Sequence, residues 1–348
     1  MTLAAATGGA TLAQAQQRLM EIAFGFVSSQ AFMSACDLGV FDAVTSTPAT
    51  ADEIAPRIGL RPVACRRLLM HLASIGLVDR AGDRFRSSEL GELCSSRSAV
   101  RLGPTARINP FYAMTAHLTD ALREYSPRWR QTLGVDAADA FAGLYADPVR
   151  LREFAELMNA ISVPQGQLVA ESYDFSAHRC IMDVAGGPGG QSIAIGVRHP
   201  HLRGVITDME PVCVVARENI AAAGLADRFT AVAADLIQGP YPTGADVILL
   251  GHILHDWSDE VCARILSHCA AALPSGGTLL VSESVLRDDF SASPTTHVKD
   301  LLMLLANESG ARERSESEYR DLLNAAGFEV EKLVRLDAPR DLLVARKK

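Results

Sequence analysis

The second half of the chain alternates short apolar runs with longer amphipathic runs, and this alternation restricts the possible folds most. The strand-like runs are 180–184, 204–207, 229–233, 245–250 and 278–281. Helical patterns begin between them, near Gly190, Val212, Ser258 and Glu316. Such alternation predicts an α/β fold with a parallel sheet covered by helices. Two further runs, 328–336 and 341–345, follow each other without a helix and predict a closing antiparallel hairpin at the sheet edge.

The first hundred residues have a different pattern, in which helices precede a hairpin. A helical pattern covers 12–44, a short helix begins after Thr50 as its N-cap, and a second helix covers 61–75. Two strand-like runs then flank a turn that contains Gly82. This order predicts a winged helix, which in some proteins inserts its second helix into a DNA groove and in others pairs subunits.

Charge and composition favour subunit pairing over DNA binding. The formal net charge is −8, which disfavours contact with nucleic-acid phosphates. Seven cysteines occur without a CxxC pair, as expected for reduced thiols in the cytoplasm. The chain lacks an apolar stretch of the roughly 18–20 residues that a membrane span needs, and its N-terminus does not resemble a signal peptide. We therefore expect a cytoplasmic protein with neither a nucleic-acid nor a membrane partner.

The segment between these two patterns is helical and rich in aromatic residues, from Phe111 to Phe154. Aromatic side chains of this kind usually belong to a core, although some can wall a substrate pocket. The sequence thus predicts three parts. They are a winged-helix domain over 1–103, a helical connector that contributes to the substrate pocket over 104–175, and an α/β catalytic domain over 176–348.

A glycine-rich turn follows the first strand of the predicted sheet. Asp183 and the glycines 186, 187 and 189 form the pattern D-x-x-G-G-x-G, and Asp208 ends the next strand about 25 residues later. A dinucleotide site needs G-x-G-x-x-G/A, and this turn fails at the last position. The looser pattern suits S-adenosylmethionine, because this donor has no pyrophosphate for the helix N-terminus to hold. Asp208 is expected to accept hydrogen bonds from the ribose.

Asp235 ends the third strand of the predicted sheet. A carboxylate there can accept a hydrogen bond from the adenine amino group, while Met209 and Leu236 sandwich the ring. A single aspartate in such a place is also a common turn residue.

His255 stands on a loop between a buried strand and a helix that Ser258 can cap. Because the carboxyl ends of parallel strands face the ligand crevice, catalytic groups are common on such loops. With an ordinary pKa of about 6.5, an imidazole can remove the proton of an acceptor hydroxyl. We therefore predict that His255 is a general base; the alternative is a packing role beside Trp257.

Together these motifs resemble the two-domain O-methyltransferases that include caffeic acid, acetylserotonin and bacterial antibiotic-tailoring enzymes. The resemblance covers nearly the whole chain, and its most specific segments are LHDWSDE at 254–260, ALPSGG at 272–277 and GARERS at 310–315. It implies a dimerising winged-helix domain, a Rossmann-like domain that binds S-adenosylmethionine, and no metal. Methyl transfer would leave S-adenosylhomocysteine as the product.

The resemblance also implies a role for each motif residue. His255 would be the general base, and Glu283 and Glu313 the acidic residues that orient it. The donor would contact Asp183, Ala185, Gly186, Gly187, Gly189, Asp208, Met209, Asp235, Leu236 and Ser162. The acceptor would contact Met158, His252, Asp256, Met303 and Asn307. The chain departs from plant members at Ala185, where glycine is usual, at Gly251, where they carry lysine, and at His252, where they carry tryptophan.

Two other functions remain open from the sequence. A protein with the same donor site could methylate nitrogen or carbon, or use the donor's positive charge without transferring the methyl group. A winged-helix regulator that senses a metabolite is the second alternative. Retention of His255, Glu283 and Glu313 favours methyl transfer from S-adenosylmethionine to a hydroxyl of a small, aromatic secondary metabolite by a homodimer.

Overall fold

The computed structural model describes residues 11–98, 102–103, 109–336 and 338–348. The chain divides into two compact units, Met1–Arg107 and Ile108–Lys348. The segment predicted as a connector falls with the α/β part in the second unit, and its finer boundaries stay a prediction.

The first unit consists of helices followed by a small sheet. Its helices are α1 (Leu12–Ala23), α2 (Gly25–Asp37), α3 (Val40–Ala43), α4 (Ala51–Ile54), α5 (Pro62–Ser74) and α6 (Glu89–Glu92). The helical pattern predicted over 12–44 is confirmed in class, but the bend of 46° between α1 and α2 was not predicted. Gly25, a weak helix former, stands at this break, and Gly39 with φ of 70° separates α2 from α3.

The winged-helix order of the first unit is confirmed. Thr50 caps α4 in a reciprocal capping box with Glu53, as the sequence predicts. Strands β2 (Val78–Ala81) and β3 (Arg84–Ser87) form the predicted antiparallel hairpin, and β1 (Ala49–Thr50) pairs with β3 on its other side.

The second unit is built on one seven-stranded sheet, which confirms the predicted α/β class. Its strands are β4 (Cys180–Val184), β5 (Arg203–Asp208), β6 (Phe229–Ala233), β7 (Val247–Gly251), β8 (Thr278–Glu283), β11 (Phe328–Val334) and β12 (Asp341–Lys347). Their order is β11-β12-β8-β7-β4-β5-β6, and the pairs from β8 to β6 are parallel. The observed ends lie within two residues of the predicted ones. The hairpin β11–β12 closes the sheet as predicted. A short parallel pair, β9 (Val285–Leu286) with β10 (Arg314–Ser315), lies outside it.

Helices accompany this sheet in the second unit, some packed on its two faces and others in a small core of their own. They are α7 (Asn109–Met114), α8 (Leu118–Glu124), α9 (Trp129–Leu133), α10 (Ala137–Ala146), α11 (Pro148–Ser172), α12 (Gly190–Arg198), α13 (Glu210–Ala222), α14 (Asp259–Ala272), α15 (Pro294–Ala306) and α16 (Glu316–Ala325). Ile181 and Leu249 pack with residues of α11, α12 and α13 on one face, whereas Met182 and Leu250 pack with α14 and α16 on the other. Both faces are buried, which explains the continuous apolar runs of the parallel strands.

The sheet brings all candidate catalytic and donor-binding loops to one edge. Strands β4 to β8 are parallel, so the loops after them leave the sheet at the same carboxyl edge. Strand β12 is antiparallel to β8, and its first residue, Asp341, therefore lies beside Glu283 at this edge.

None of the described helices is by itself long and apolar enough to cross a bilayer. Helices α1 and α2 meet the length and composition criteria only when they are counted together across their bend.

Candidate active site

The glycine-rich turn after β4 has the backbone shape that a closely bound ligand requires. Ala185, Gly187 and Gly189 have positive φ angles of 52°, 59° and 88°, which strain alanine but not glycine. A Cβ on Gly186 would come within 2.5 Å of Asp183 Cγ, so only glycine fits there. At Gly187, by contrast, nothing lies within 4 Å of the position that a Cβ would take. A ligand can therefore approach the backbone at this point.

Asp183 lies buried beneath the turn. Its Oδ2 has no hydrogen-bond partner among the described residues. Burial raises the pKa of Asp183 to about 7, against hydrogen bonds from Ser192 that lower it. An unpaired buried polar atom is unfavourable, so the base of the turn offers a polar group to a bound ligand or water.

Asp208 ends β5 beside the same turn. Its Oδ2 accepts the Gly187 N–H at 2.8 Å, and its Oδ1 accepts the Met209 N–H at 2.7 Å. Burial raises the pKa of this carboxyl group, while the two backbone hydrogen bonds lower it. Each oxygen keeps a free lone pair, so a ribose diol fits this carboxylate. The donor groove thus contains the polar atoms that S-adenosylmethionine requires.

Local hydrogen bonds in the loop after β6 hold the side chain of Asp235. Its Oδ1 accepts the N–H groups of Ile237 and Gln238, both at 2.8 Å, which is the turn role considered as an alternative. The Leu236 carbonyl accepts a hydrogen bond from Tyr241. Adenine contact by Asp235, Leu236 and Met209 stays a prediction.

Helix α11 contributes the predicted residues Ser162 and Met158. Ser162 packs against the start of α12, because its Cβ lies 2.9 Å from the position that a Cβ on Gly190 would take. Asn159 packs on the same glycine with its Oδ1 at 3.0 Å. Met158 lies one helical turn before Ser162 and is half-buried.

Two charged side chains hold the short 3₁₀ turn that carries His255. Glu283, at the end of β8, accepts the N–H groups of Ile253 and Leu254 through Oε1, both at 2.8 Å. Arg314 from β10 donates to the Leu254 carbonyl at 2.6 Å and to the Trp257 carbonyl at 2.7 Å. The turn before and after His255 is thereby fixed from two sides.

The His255 ring is 1% exposed and has a carboxylate next to each nitrogen. Its Nδ1 lies 3.2 Å from Glu313 Oε1, and its Nε2 lies 3.3 Å from Asp256 Oδ1. Of the two glutamates predicted to orient the ring, Glu313 contacts it directly, whereas Glu283 makes its hydrogen bonds to the backbone before it.

These carboxylates hold a proton on His255 in the free protein. Burial disfavours the imidazolium, but Asp256, Glu283 and Glu313 outweigh it and raise the pKa of His255 to about 9. Burial also raises the pKa of Glu283 and of Asp256, while His255 lowers both. The ring therefore becomes a free base as the pH rises through about 9.

Asp256, Asn307 and Met303, all predicted to contact the acceptor, form one connected group beside His255. Asn307 Nδ2 donates to Asp256 Oδ1 at 2.6 Å and lies 3.1 Å from Met303 Sδ. Met303 and Asn307 are four residues apart at the end of α15, so they share a face of the chain. Within the group, Asp256 lies beside Nε2 of the ring, and contact of the three residues with an acceptor stays a prediction.

His252 stacks on His255 with ring centroids 4.2 Å apart and planes at 36°. Its φ of 67° is unusual for a residue other than glycine. Burial, and next the charge of Arg340, lower the pKa of His252 well below its ordinary value. A neutral ring therefore covers one face of the protonated His255.

Two cations near these carboxylates, the half-buried Lys299 and the buried Arg340, were not predicted from the sequence. Lys299 on α15 lies 3.7 Å from Glu313 Oε1, and Arg340 precedes β12 with 4% of its surface exposed. Lys299 stands four residues before Met303, a spacing that could have revealed it. Arg340 has no such signal, because a long-range strand pairing brings it to the site.

His255, Glu283 and Glu313 also have the composition of a metal site, since one ligand atom of each lies within 4.8 Å of the others. Several of their atoms already have other partners, although Oε2 of Glu283 and Oε2 of Glu313 have none among the described residues. Glu283 Oε1 accepts two backbone N–H groups, and Lys299 supplies a positive charge beside Glu313. The contacts match an ion-pair network around an imidazole better than a metal centre.

Comparison with known proteins identifies the family of the chain. The sequence profile of the O-methyltransferase domain matches residues 115–329, and that of the O-methyltransferase dimerisation domain matches residues 20–97. A 3-hydroxy-5-methyl-1-naphthoate 3-O-methyltransferase from Streptomyces sahachiroi is 32% identical to the chain and covers 92% of each sequence. The chain belongs to the O-methyltransferase family. The predicted fold, dimerisation domain and enzyme class are thereby confirmed.

Structural comparison within the O-methyltransferase family agrees. Human N-acetylserotonin methyltransferase in complex with S-adenosylmethionine superimposes with a TM-score of 0.88 and 27% identity, over 96% of this chain and 98% of that one. The cofactor prediction, S-adenosylmethionine, is confirmed by such complexes. The family also contains a different activity: the N,N-dimethyltransferase OxyT of Streptomyces rimosus is 30% identical over 94% of both chains. The roles of individual residues stay predictions.

Proposed function

We propose that this O-methyltransferase transfers the methyl group of S-adenosylmethionine to a hydroxyl group of a small aromatic metabolite, with His255 as general base. The pairing of His255 Nδ1 with Glu313, at 3.2 Å on a fully buried carboxylate, carries the proposal. A base held in this way presents Nε2 to the acceptor, and Asp256, Met303 and Asn307 surround that side.

The chain's own residues would bind the donor, orient the acceptor and take up the proton of its hydroxyl group. S-adenosylmethionine, when bound, supplies an electrophilic sulfonium methyl group and leaves as S-adenosylhomocysteine. Asp208 and the turn at Gly186 and Gly187 would hold the donor at the edge of β4 and β5. His255 Nε2 would take the hydroxyl proton as the oxygen bonds to the methyl carbon, and Glu313 would stabilise the resulting imidazolium.

The raised pKa of His255 gives this mechanism a condition. At neutral pH the free ring holds a proton, which Asp256 and Glu313 stabilise. The acceptor must therefore displace the Asp256 carboxylate from Nε2, and the productive complex forms with a neutral ring. Methyl transfer should consequently become faster as the pH rises toward 9.

Methylation of an amine is the second candidate function, because a relative of similar identity, OxyT, is an N,N-dimethyltransferase. The position of Asp256 beside Nε2 also suits a positively charged acceptor. The buried His255–Glu313 pair favours oxygen, since a weakly acidic hydroxyl needs a base more than a neutral amine does. The aromatic hydroxy acid of the Streptomyces sahachiroi relative points the same way.

The assembly and compartment belong to the same proposal. The dimerisation domain matches residues 20–97, and α1 and α2 expose Leu19, Ile22, Phe24 and Phe26 to solvent. An apolar surface of this kind needs a partner, and we propose a second copy of the chain. We also propose that the enzyme acts in the cytoplasm on small molecules, because free cysteines and an acidic surface suit that compartment.

A labelled-donor assay tests the activity. The purified full chain is incubated with S-adenosylmethionine carrying a deuterated methyl group and with matched phenols and anilines, and the products are identified by mass spectrometry. Transfer to phenol oxygens is expected. Transfer to anilines alone would show that the enzyme methylates nitrogen rather than oxygen. The absence of transfer to every member of a broad panel would count against the proposal.

A further inference from the structure

Arg340 stands at the catalytic edge of the sheet, one strand beyond Glu283. It immediately precedes β12, whose first residue, Asp341, pairs with Glu283. Gln165 from α11 donates to the Arg340 carbonyl at 3.4 Å and to Ser282 Oγ at 3.2 Å, which anchors this backbone to β8. In the strand order, β7 and β8 separate Arg340 from the donor turn after β4. The side chain thus belongs to the acceptor side of the site.

Two of the three nitrogens of the buried Arg340 guanidinium lack a hydrogen-bond partner among the described residues. Only 4% of the residue is exposed, and Nε and Nη1 make no hydrogen bond in the described part of the chain. The charges of Glu283, Glu313 and Asp256 act on it, but none of the three forms a hydrogen bond with these nitrogens. Arginine keeps its charge and offers five donors in a planar fork. A buried guanidinium in this state is incomplete until an oxygen anion binds it.

Lys299 approaches the same place from α15. Its Nζ donates to Ser284 Oγ and lies 3.7 Å from Glu313 Oε1. Met303 follows one turn later on the same face of α15. Lys299 therefore lies on the helix face that carries Met303, one of the residues predicted to contact the acceptor. Both Lys299 and Arg340 also act on the buried His252 ring. Two cations therefore approach one region beside His255 from different elements.

Resting on the proposed function, we propose that Arg340, assisted by Lys299, binds a carboxylate of the acceptor, which makes the substrates hydroxylated aromatic carboxylic acids. A planar guanidinium holds a carboxylate through two parallel hydrogen bonds, and an ammonium adds a point charge. If Arg340 only balanced the charge of Glu283 and Glu313, its nitrogens would be expected to contact their oxygens. Instead Nε, Nη1 and the second oxygens of both glutamates lack partners.

Matched acceptor pairs test this inference on the full chain. Monohydroxybenzoates and monohydroxynaphthoates are compared with their primary carboxamides, which keep the hydroxyl and shape but lose the charge. Binding is measured by calorimetry with saturating S-adenosylhomocysteine, and KM with S-adenosylmethionine. Charge-assisted hydrogen bonds predict about ten- to hundredfold tighter binding of the acid. Equal affinity for acid and amide in the wild-type enzyme would overturn the inference.

Substitution of Arg340 separates recognition from a structural role. Arg340→Gln should reduce the preference for the acid to within about threefold and leave KM for the amide unchanged. Arg346→Gln is the control, because Arg346 lies on the same β12 but is exposed and paired with Glu331. An equal loss with acid and amide would assign Arg340 a structural role and overturn the inference. If Arg340→Gln does not fold, Lys299→Met replaces it, with a smaller loss of the same preference expected.

The two proposals fail in different ways. If no hydroxyl acceptor is methylated, the proposed function fails, and calorimetry of acid against amide still decides whether a carboxylate binds. If acids and amides are methylated equally well, the proposed function stands and the carboxylate site is wrong.

Discussion

At the scale of single residues, the chemistry of this O-methyltransferase depends on the charge around one imidazole. His255 has Glu313 at Nδ1 and Asp256 at Nε2, and both raise its pKa. The first carboxylate can remain when an acceptor binds, whereas the second occupies the position that the acceptor needs. Asn307 holds Asp256 at 2.6 Å, so the exchange of Asp256 for the acceptor also involves Asn307.

Replacement of His255 tests the base directly. His255→Ala should lower kcat by about 10²–10⁴-fold, because general base catalysis contributes that much. Affinity for S-adenosylhomocysteine, measured by calorimetry, should stay within about twofold, since none of the donor-side contacts described here involves this ring. His297→Ala is the control, an exposed histidine on α15. Full activity of His255→Ala would remove the residue from the mechanism.

The pH profile tests the Glu313 contact. Glu313 raises the pKa of His255, so Glu313→Gln should lower that pKa and move the acidic limb of kcat/KM from near pH 9 to lower pH. The maximal rate should fall, because the imidazolium loses its stabilising carboxylate. The same acceptor is used throughout, so its own ionisation affects both profiles equally. Glu308→Gln is the control, because this carboxylate accepts a hydrogen bond from the Ser258 N–H instead of contacting His255. It should leave the acidic limb of kcat/KM at the pH of the wild-type enzyme. An unmoved limb in Glu313→Gln would contradict the assignment.

At the scale of elements, the site depends on strands that restrain a turn of three residues. Glu283 at the end of β8 and Arg314 in β10 form hydrogen bonds with the backbone of the turn Leu254–Asp256. A 3₁₀ turn of this length has little stability of its own. The buried hydrogen bonds from the two strands therefore determine where His255 points.

Arg314→Lys should loosen this turn. Lysine cannot reproduce the hydrogen bonds to the carbonyls of Leu254 and Trp257 together with the pair to Asp259. We expect a fall in kcat of tenfold or more and a loss of about 2 kcal/mol in the free energy of unfolding, because buried carbonyls lose their hydrogen-bond donors. Chemical denaturation and steady-state kinetics measure both.

Arg312→Lys is the matched control for that substitution. Arg312 also pairs with Asp259 but donates to Glu318 and the Gly310 carbonyl rather than to the catalytic turn. The Arg312→Lys variant should retain the kcat of the wild-type enzyme. If Arg314→Lys loses stability but keeps kcat and its pH dependence, the arginine does not position His255.

At the scale of the whole molecule, the exposed apolar surface of the first unit is the most informative feature. Leu19, one residue before the matched dimerisation domain, is 67% exposed, and Phe26, inside that domain, is 56% exposed. A monomer would leave this surface in water, which predicts self-association.

Light scattering after size exclusion tests the proposed homodimer. The wild-type chain should elute as a dimer, and the double variant Leu19→Glu and Phe26→Glu as a monomer, because a charged group cannot be buried in an apolar interface without a partner. Val149→Glu is the control, since this valine is also exposed but lies at the start of α11 in the second unit. A wild-type monomer at micromolar concentration would contradict the proposal. Binding of the wild-type chain to lipid vesicles would assign the apolar surface to a membrane instead.

The sequence determined the features that depend on local order and periodicity. Apolar runs with turn residues between them located the strands of the sheet within two residues, and Thr50 and Ser258 marked helix starts through their capping chemistry. Asp183, Asp208 and His255 could be identified because each lies at the carboxyl end of a strand or on the loop after it, where parallel sheets bind ligands. Helix α15 was not predicted, although its residues Met303 and Asn307 were.

Tertiary structure alone decided which side chains meet. Glu283 contacts the backbone before His255 rather than its ring, and Arg340 reaches the same edge through the pairing of β12 with β8. The break of the first helical run at Phe24 is another such feature. Contacts between residues 30 to 175 positions apart depend on strand order and burial. A local pattern contains neither, because it records which face of an element is apolar but not which element covers that face.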